Sequence, residues 1–441
     1  MRATQTQILL VLAATLSLPP RSSATLQAPY ETEWIRQLGT SLWDSSHAVS
    51  CDSLGNVYIS GLTYGSLGGH NAGSSDAFVS KYDSAGKLLW ARQLGTPLSD
   101  ESWSVSADAL GNVYISGWTQ GWLNPRDPPH SGSLDAFVAK YDPAGNLLWT
   151  RQYGTENDEV SRGVSADVLG NVYISGYMEG NPGLPGGPRE AFINKYNSSG
   201  IHLWTRQIVG LGWVWSQGVS ADSLGNVYIS GHAVYRLDPT SNGWNDAFVS
   251  KFDSAGALLW TRQLGTTDPS ETAFGVSADC LGNVFMSGSI DSGGSSTIDA
   301  FVTKYNSEGH LLWTRQLGSG EVDSSLGLSA DGAGNVFIAG YTRGSLGGPN
   351  AGEQDAFVSK YDTDGNLLWT LQIGTSELEY AYGVTVDTMG NAYLTGYTEG
   401  SLGGPNAGSA DAFLVKLIVP EPGTIFLLGF GGLALLRRGK P

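Results

Sequence analysis

Six histidines are the first candidates for chemistry: His47, His70, His130, His202, His232 and His310. None has a partner at metal-ligand spacing, and no Gly-x-Ser-x-Gly, His-Glu-x-x-His or phosphate-binding glycine loop occurs. Carboxylates are better placed. The segments that follow the recurrent tryptophan phrases carry Asp44; Asp100 and Glu101; Glu156, Asp158 and Glu159; Asp268 and Glu271; Glu321 and Asp323; and Glu377 and Glu379. Hard oxygen ligands gathered at one mouth suit Ca²⁺, with Asp100, Glu101, Asp158, Glu159, Glu321 and Asp323 as the candidate set. A cation held there beside His47 or His232 would support a metal-assisted hydrolase or lyase. The plainer expectation is a solvated acidic rim with no cofactor. Asp362-Thr-Asp-Gly-Asn366 looks like half a calcium loop, but it aligns with ordinary turns elsewhere in the chain.

The 14 tryptophans fall into two sets. Trp34, Trp90, Trp149, Trp204, Trp260, Trp313 and Trp369 open the same phrase each time, as in Trp90-Ala-Arg-Gln-Leu-Gly, and read as packing residues. Trp43, Trp103, Trp118, Trp122, Trp213, Trp215 and Trp244 lie outside the repeat, in or beside segments that differ from unit to unit. Such aromatics, next to Asp, Asn and Ser, suit the flat apolar faces and hydroxyls of sugars, and are the candidate ligand-binding residues; the alternative is that they cap the ends of strands.

What positions both sets is a repeat of 53 to 59 residues in seven copies. Each copy reads as four short strands: one ending Val49-Ser-Cys-Asp52, then Asn56-Val-Tyr-Ile-Ser-Gly61, Asp76-Ala-Phe-Val-Ser-Lys-Tyr82 and Leu88-Leu-Trp-Ala-Arg-Gln-Leu94. Four strands at this period predict an all-β, seven-bladed β-propeller over 34–418. The first-to-second links are Asp-x-x-Gly-Asn hairpins and the third-to-fourth links are similar. The two longer links vary and emerge on the opposite face, where function is expected. The last copy lacks a fourth strand and an extra one stands at Trp34–Leu38, so the N-terminal strand is expected to complete blade seven. A lysine in every third strand, an arginine in six fourth strands and an acid opening every third strand read as structural links; Leu371 breaks the arginine series. Cys51 and Cys280, in different blades, predict small buried thiols and no disulfide.

Net charge is −17 and charged residues make up only 15%, with 61 glycines, which excludes a nucleic-acid or anionic-membrane partner bound through charge and argues against a helical bundle. Arg2, the apolar run 8–18 and Ser22-Ser23-Ala24 read as a secretory signal peptide over 1–24, followed by a short linker over 25–33. Pro420-Glu421-Pro422, a short glycine-containing apolar run over 424–436 and Arg437-Arg438 close the chain. A run of 13 is short of the roughly 20 residues a stable span needs, so membrane contact is expected to be transient. Segment 419–441 resembles the PEP-CTERM sorting signal of Gram-negative bacteria. That resemblance implies processing by signal peptidase and an exosortase-type protease, and delivery to the envelope, cell surface or extracellular matrix. Through Gly-Asn-Val-Tyr, Asp-Ala-Phe-Val-Ser-Lys-Tyr-Asp and Asn-Leu-Leu-Trp, the body resembles the bacterial seven-bladed β-propeller repeat family abbreviated SBBP. The favoured expectation is a non-catalytic binding or attachment module for an extracellular polysaccharide or an envelope protein; a purely structural matrix component is the other non-enzymatic alternative.

Overall fold

The computed structural model describes residues 30–124, 133–180, 189–235, 237, 244–265, 270–291 and 297–418. The signal peptide, the Pro420-Glu421-Pro422 motif and Arg437-Arg438 lie outside them.

Every described element is a β-strand, and 28 strands form seven four-stranded antiparallel sheets. Blade 1 is β2 (Asp44–Cys51), β3 (Val57–Thr63), β4 (Asp76–Tyr82) and β5 (Leu88–Leu94), in that order from the channel outward. Blades 2 to 6 repeat it as β6–β9 (100–153), β10–β13 (159–208), β14–β17 (214–264), β18–β21 (270–317) and β22–β25 (323–373). Blade 7 combines β26 (Glu379–Val386), β27 (Ala392–Thr398) and β28 (Asp411–Ile418) with β1 (Glu31–Leu38), which pairs β28 from Glu31↔Ile418 to Leu38↔Ala412. The ring is a seven-bladed propeller closed by its N-terminal strand. Strand β1 starts three residues ahead of Trp34 and Tyr30 is buried, so residues 30–33, expected as linker, belong to the body.

The core lies between blades. Tyr58, Ala77 and Val79 of blade 1 pack on Val105, Ile115, Phe137 and Ala139 of blade 2, and the same alternation recurs around the ring. Two residue types hold six of the seven interfaces from the outside. The third-strand lysine donates to a carbonyl in the next blade's outer hairpin, as Lys81 Nζ does to Pro143 O at 3.2 Å, and the fourth-strand arginine donates through Nε to that hairpin's glycine, as Arg92 does to Gly145 O at 2.8 Å. The same arginine bond runs from Arg36, Arg151, Arg206, Arg262 and Arg315.

Leu371 now has a reason. The neighbour of blade 6 is blade 7, whose third and fourth strands come from opposite ends of the chain, so no hairpin joins them and no glycine carbonyl awaits an arginine there. Tyr30 fills that gap. Its ring lies 4.7 Å from Trp369, its hydroxyl accepts from Lys360 Nζ at 3.2 Å and donates to Gly390 O at 2.9 Å, and Asp331 completes the ion pair with Lys360.

The longer links are not uniformly variable, contrary to expectation. Blades 6, 7 and 1, which meet at the closure, share the loop Gly-Ser-Leu-Gly-Gly-x-Asn-Ala-Gly at 344–352, 400–408 and 65–73. Each is pinned alike: Gln93 accepts from Leu67 N and donates to Gly65 O and to Asp76, whose other contact is Ala72 N. That is the work of the recurrent third-strand acid, and Gln152 with Asp135 and Gln263 with Asp246 repeat it in blades 2 and 4, whose loop sequences nonetheless differ.

Candidate binding face and central channel

Every first strand carries a bulge near its start, with one residue opposing none on the second strand. The bulged residues are His47, Trp103, Arg162, Gln217, Phe274, Leu326 and Tyr382, and together they line a cavity of about 250 Å³ on the propeller axis. Seven blades that are otherwise nearly identical thus contribute seven different side chains to one ring. Arg162 lays its guanidinium on the Trp103 ring at 3.9 Å, His47 stacks on Trp103 at 4.1 Å, and Tyr382 meets His47 edge-on at 5.2 Å. Of this ring only Trp103 and His47 are candidates from sequence, read as lying on or near the variable face; the signal that finds the rest is a non-repeating position three or four residues past the start of each first strand.

His47 is buried, its Nδ1 sits 2.9 Å from Ser102 O, and burial pulls its pKa down to about 4. His232, stacked on Trp215 at 4.4 Å, is likewise pulled to about 4 by burial. Both are neutral at pH 7 and neither is paired with a carboxylate among the described residues. A histidine depressed on folding binds fewer protons folded than unfolded between its two pKa values. Its contribution is therefore intact above pH 6.5 and lost as pH falls from 6.5 toward 4. We expect His47→Gln to lose less of its urea midpoint between pH 7 and pH 5 than the unsubstituted protein does; an unchanged difference would mean that His47 takes up its proton as readily folded as unfolded.

The acidic rim divides in two. Asp44, Asp100, Glu159, Asp323 and Glu379 open their strands and are buried there, gripped by the preceding loop: Asp100 accepts from Thr96 N and Thr96 Oγ1 and from Thr119, Glu159 from Thr155, and Asp323 from Ser319. Burial raises the Glu159 pKa to about 7. Asp158 accepts from Leu134 N, and Glu321 is exposed. Glu101 has its pKa raised by burial, against the pull of Arg162 and of the Trp103 and Trp118 indoles. The six candidate Ca²⁺ ligands therefore sit in blades 2, 3 and 6, mostly engaged within their own blade, and no group of three or more His, Cys, Asp or Glu able to hold a metal exists among the described residues. Nor are both cysteines buried as expected: Cys51 is half-buried, Cys280 is exposed, and both are free.

The seven non-repeat tryptophans separate as well. Trp122, Trp213 and Trp244 are 45%, 48% and 65% exposed, all in links on the face opposite the Asp-x-x-Gly-Asn hairpins. Trp213 stands edge-on to Trp215 at 5.5 Å and Trp244 edge-on to Tyr235 at 5.0 Å. Trp43, Trp103, Trp118 and Trp215 are half-buried, so capping accounts for part of each. Trp43 nonetheless forms one wall of an open groove of about 650 Å³ with Tyr64, Asn71 and Ser74 between blades 7 and 1.

Fold and sequence together define a bacterial export-class propeller built from one repeat. The β-propeller repeat SBBP matches at residues 33–68, 89–123, 203–233, 312–347 and 368–403, and the PEP-CTERM protein-sorting motif at 419–440. Each repeat match opens in the outer strand of one blade and ends in or just beyond the second strand of the next, and the two copies opening at Trp149 and Trp260 complete the seven. The chain carries five matched SBBP β-propeller repeats and a PEP-CTERM signal, which marks it for export and for processing by an exosortase-type system. It is 22% identical over 436 residues to an uncharacterised WD repeat-containing protein of Acanthamoeba polyphaga mimivirus, covering 74% of this chain and 31% of that one. It is 32% identical over 179 residues to the regulatory protein FlaEY of Caulobacter vibrioides, covering 36% and 18%. The chain thus spans under a third of either relative's length. Among solved structures it is similar to Sqt1 from Chaetomium thermophilum, at 9% identity, 87% and 99% coverage and a TM-score of 0.47.

Proposed function

We propose that this exported propeller is a non-catalytic binding module whose link-bearing face recognises an extracellular polysaccharide, serving attachment at the envelope or in the matrix. The observation that carries this is the exposure of Trp122, Trp213 and Trp244 on one face, in the blades whose links differ. Aromatic planes of this kind cost solvation unless a ligand covers them, and sugar rings offer matching apolar faces. The Trp43 groove, with Asn71 and Ser74 beside the indole, has the same composition. Hydrolase or lyase chemistry has less support, because most of the carboxylates it would use are engaged in holding loops, His47 is buried and His232 is half-buried against Trp215.

Binding to the producer's exopolysaccharide and to a glycan panel tests the proposal. Trp122→Ala, Trp213→Ala and Trp244→Ala remove exposed side chains and leave the fold intact, and loss of a true anchor is expected to weaken binding by about 2 kcal/mol, roughly thirtyfold. No binding by the unsubstituted protein, or full binding by all three variants, would sink it.

A further inference from the structure

The hairpins joining first to second strands carry an apolar residue at their tips in six blades: Leu54, Leu110, Leu169, Leu224, Leu281 and Met389, each 77% to 81% exposed. Turn geometry does not ask for it. The hairpins joining third to fourth strands have the same bonds, with Asp83 bonded to Ala85 N and Lys87 N as Asp52 is to Leu54 N and Asn56 N, yet their tips are Ala, Ser, Glu or Asp. Neighbouring inner tips touch, since Ser53 Oγ donates to Ala109 O, so the six side chains form a crown around the channel exit. The aspartate of each tip is turned into its own hairpin, where the asparagine two residues beyond the tip donates to it.

Both ends of the chain leave on this same face. Strand β28 runs toward it and ends at Ile418, and Tyr30 reaches the Gly390 carbonyl in a tip hairpin. Only residues 419–423 separate Ile418 from the apolar run of the sorting signal. Five residues span at most roughly 18 Å when fully extended. A signal inserted in a membrane would keep the chain end at Ile418, on this face, within that reach of the bilayer.

We propose that the leucine crown is a docking surface for a phospholipid bilayer, seating the propeller on the membrane while the sorting signal is inserted and presenting Pro420-Glu421-Pro422 at the lipid surface. The contact is apolar and calls for no basic patch, in keeping with a net charge of −17. Once the signal is cut the tether is gone, and the crown alone gives a weak, reversible contact that lets the protein leave. The proposal rests on the sorting signal and is independent of glycan recognition on the other face.

Cys280 is a built-in reporter, being exposed and adjacent to Leu281, whereas burial raises the Cys51 thiol to about 11 and spares it from labelling. The chain lacking only its signal peptide, labelled at Cys280 with an environment-sensitive dye, would be reconstituted with phosphatidylcholine vesicles and floated. The dye is expected to shift to the blue and to be quenched by lipid bearing a shallow nitroxide. Replacing Leu54, Leu110, Leu169 and Leu224 by serine should remove at least half of that quenching while flotation persists. A dye placed on the opposite face through Leu98→Cys in a Cys280→Ser background should stay aqueous. A floated protein whose Cys280 dye remains aqueous, equal quenching on both faces, or a blue shift in concentrated lipid-free protein, which would make a second copy the occupant, each overturns the proposal. Failure to float also overturns it, and locates the fault in insertion of the signal and not in the crown.

Discussion

Removing residues 30–38 is expected to lower the melting temperature more than any other change of comparable size. Strand β1 supplies seven pairings to β28, and without it β28 becomes an open edge. Tyr30, Trp34, Ile35 and Leu38 leave the two clusters that flank the closure. Four buried or half-buried side chains of this size amount to a loss on the order of 10 kcal/mol. At about 2 cal/mol/K of unfolding entropy per residue, a body of this length loses roughly ten degrees, together with a tendency to associate through the exposed edge. Tyr30→Ala alone should cost about 3 kcal/mol, since it empties the space against Trp369 and leaves Lys360 one partner fewer. Tyr30→Phe keeps the ring and forfeits only the bonds to Gly390 and Lys360, so it should fall between. Scanning calorimetry of the three proteins settles the order, and a deletion that melts like the intact chain would mean that blade 7 closes without its fourth strand.

That closure was legible in advance because it is a matter of counting: seven third strands, six fourth strands after them, and one fourth strand at the other end. The propeller, the blade boundaries and the role of the repeated Lys, Arg and Asp were legible for the same reason, since a residue that recurs in every copy answers to a contact that recurs in every copy. Leu371 shows where counting stops. As a sequence fact it is a break in the arginine series; its explanation needs the knowledge that no hairpin exists at the seam, and that Tyr30, outside the repeat, takes the place of one.

The candidate site was legible in part, and the division is physical. Loop position told that Trp122, Trp213 and Trp244 could be exposed, and they are. It could not tell that Asp100 and Glu159 turn back to hold their own loops, because a loop carboxylate reads the same whether it faces water or a neighbouring threonine. The channel ring was missed for a further reason. A bulge inserts one residue and changes which side of the strand faces the axis, and strand alternation read from sequence assumes that it does not. Arg162, Gln217, Phe274, Leu326 and Tyr382 therefore do not read from sequence as one surface.

The bulge itself has a sequence correlate, the glycine at the fifth position of each second strand, which ends Tyr-Ile-Ser-Gly in blades 1 to 4 and Phe-Met-Ser-Gly, Phe-Ile-Ala-Gly and Tyr-Leu-Thr-Gly in blades 5 to 7, and its replacement is the second change expected to have a large effect. Gly117 pairs with Ser102, and a Cβ on it would overlap the carbonyl oxygen of Glu101. The same overlap awaits at Gly61 with Ser45, at Gly176 with Val160 and at Gly340 with Ser324. The obstacle is backbone, not a flexible side chain, so the bulge must open or the two innermost strands must part. Gly117→Ala should therefore cost about 3 kcal/mol or more, at the upper end for overpacking. Gly69→Ala is the control, since its nearest neighbour would be a side-chain carbon at 3.4 Å and its backbone is unstrained; it should be close to neutral. Denaturant unfolding of both reads the difference directly. Equal midpoints would show that the inner strands accommodate a side chain at this position, and the glycine would then have no part in turning His47, Trp103 and Arg162 toward the axis.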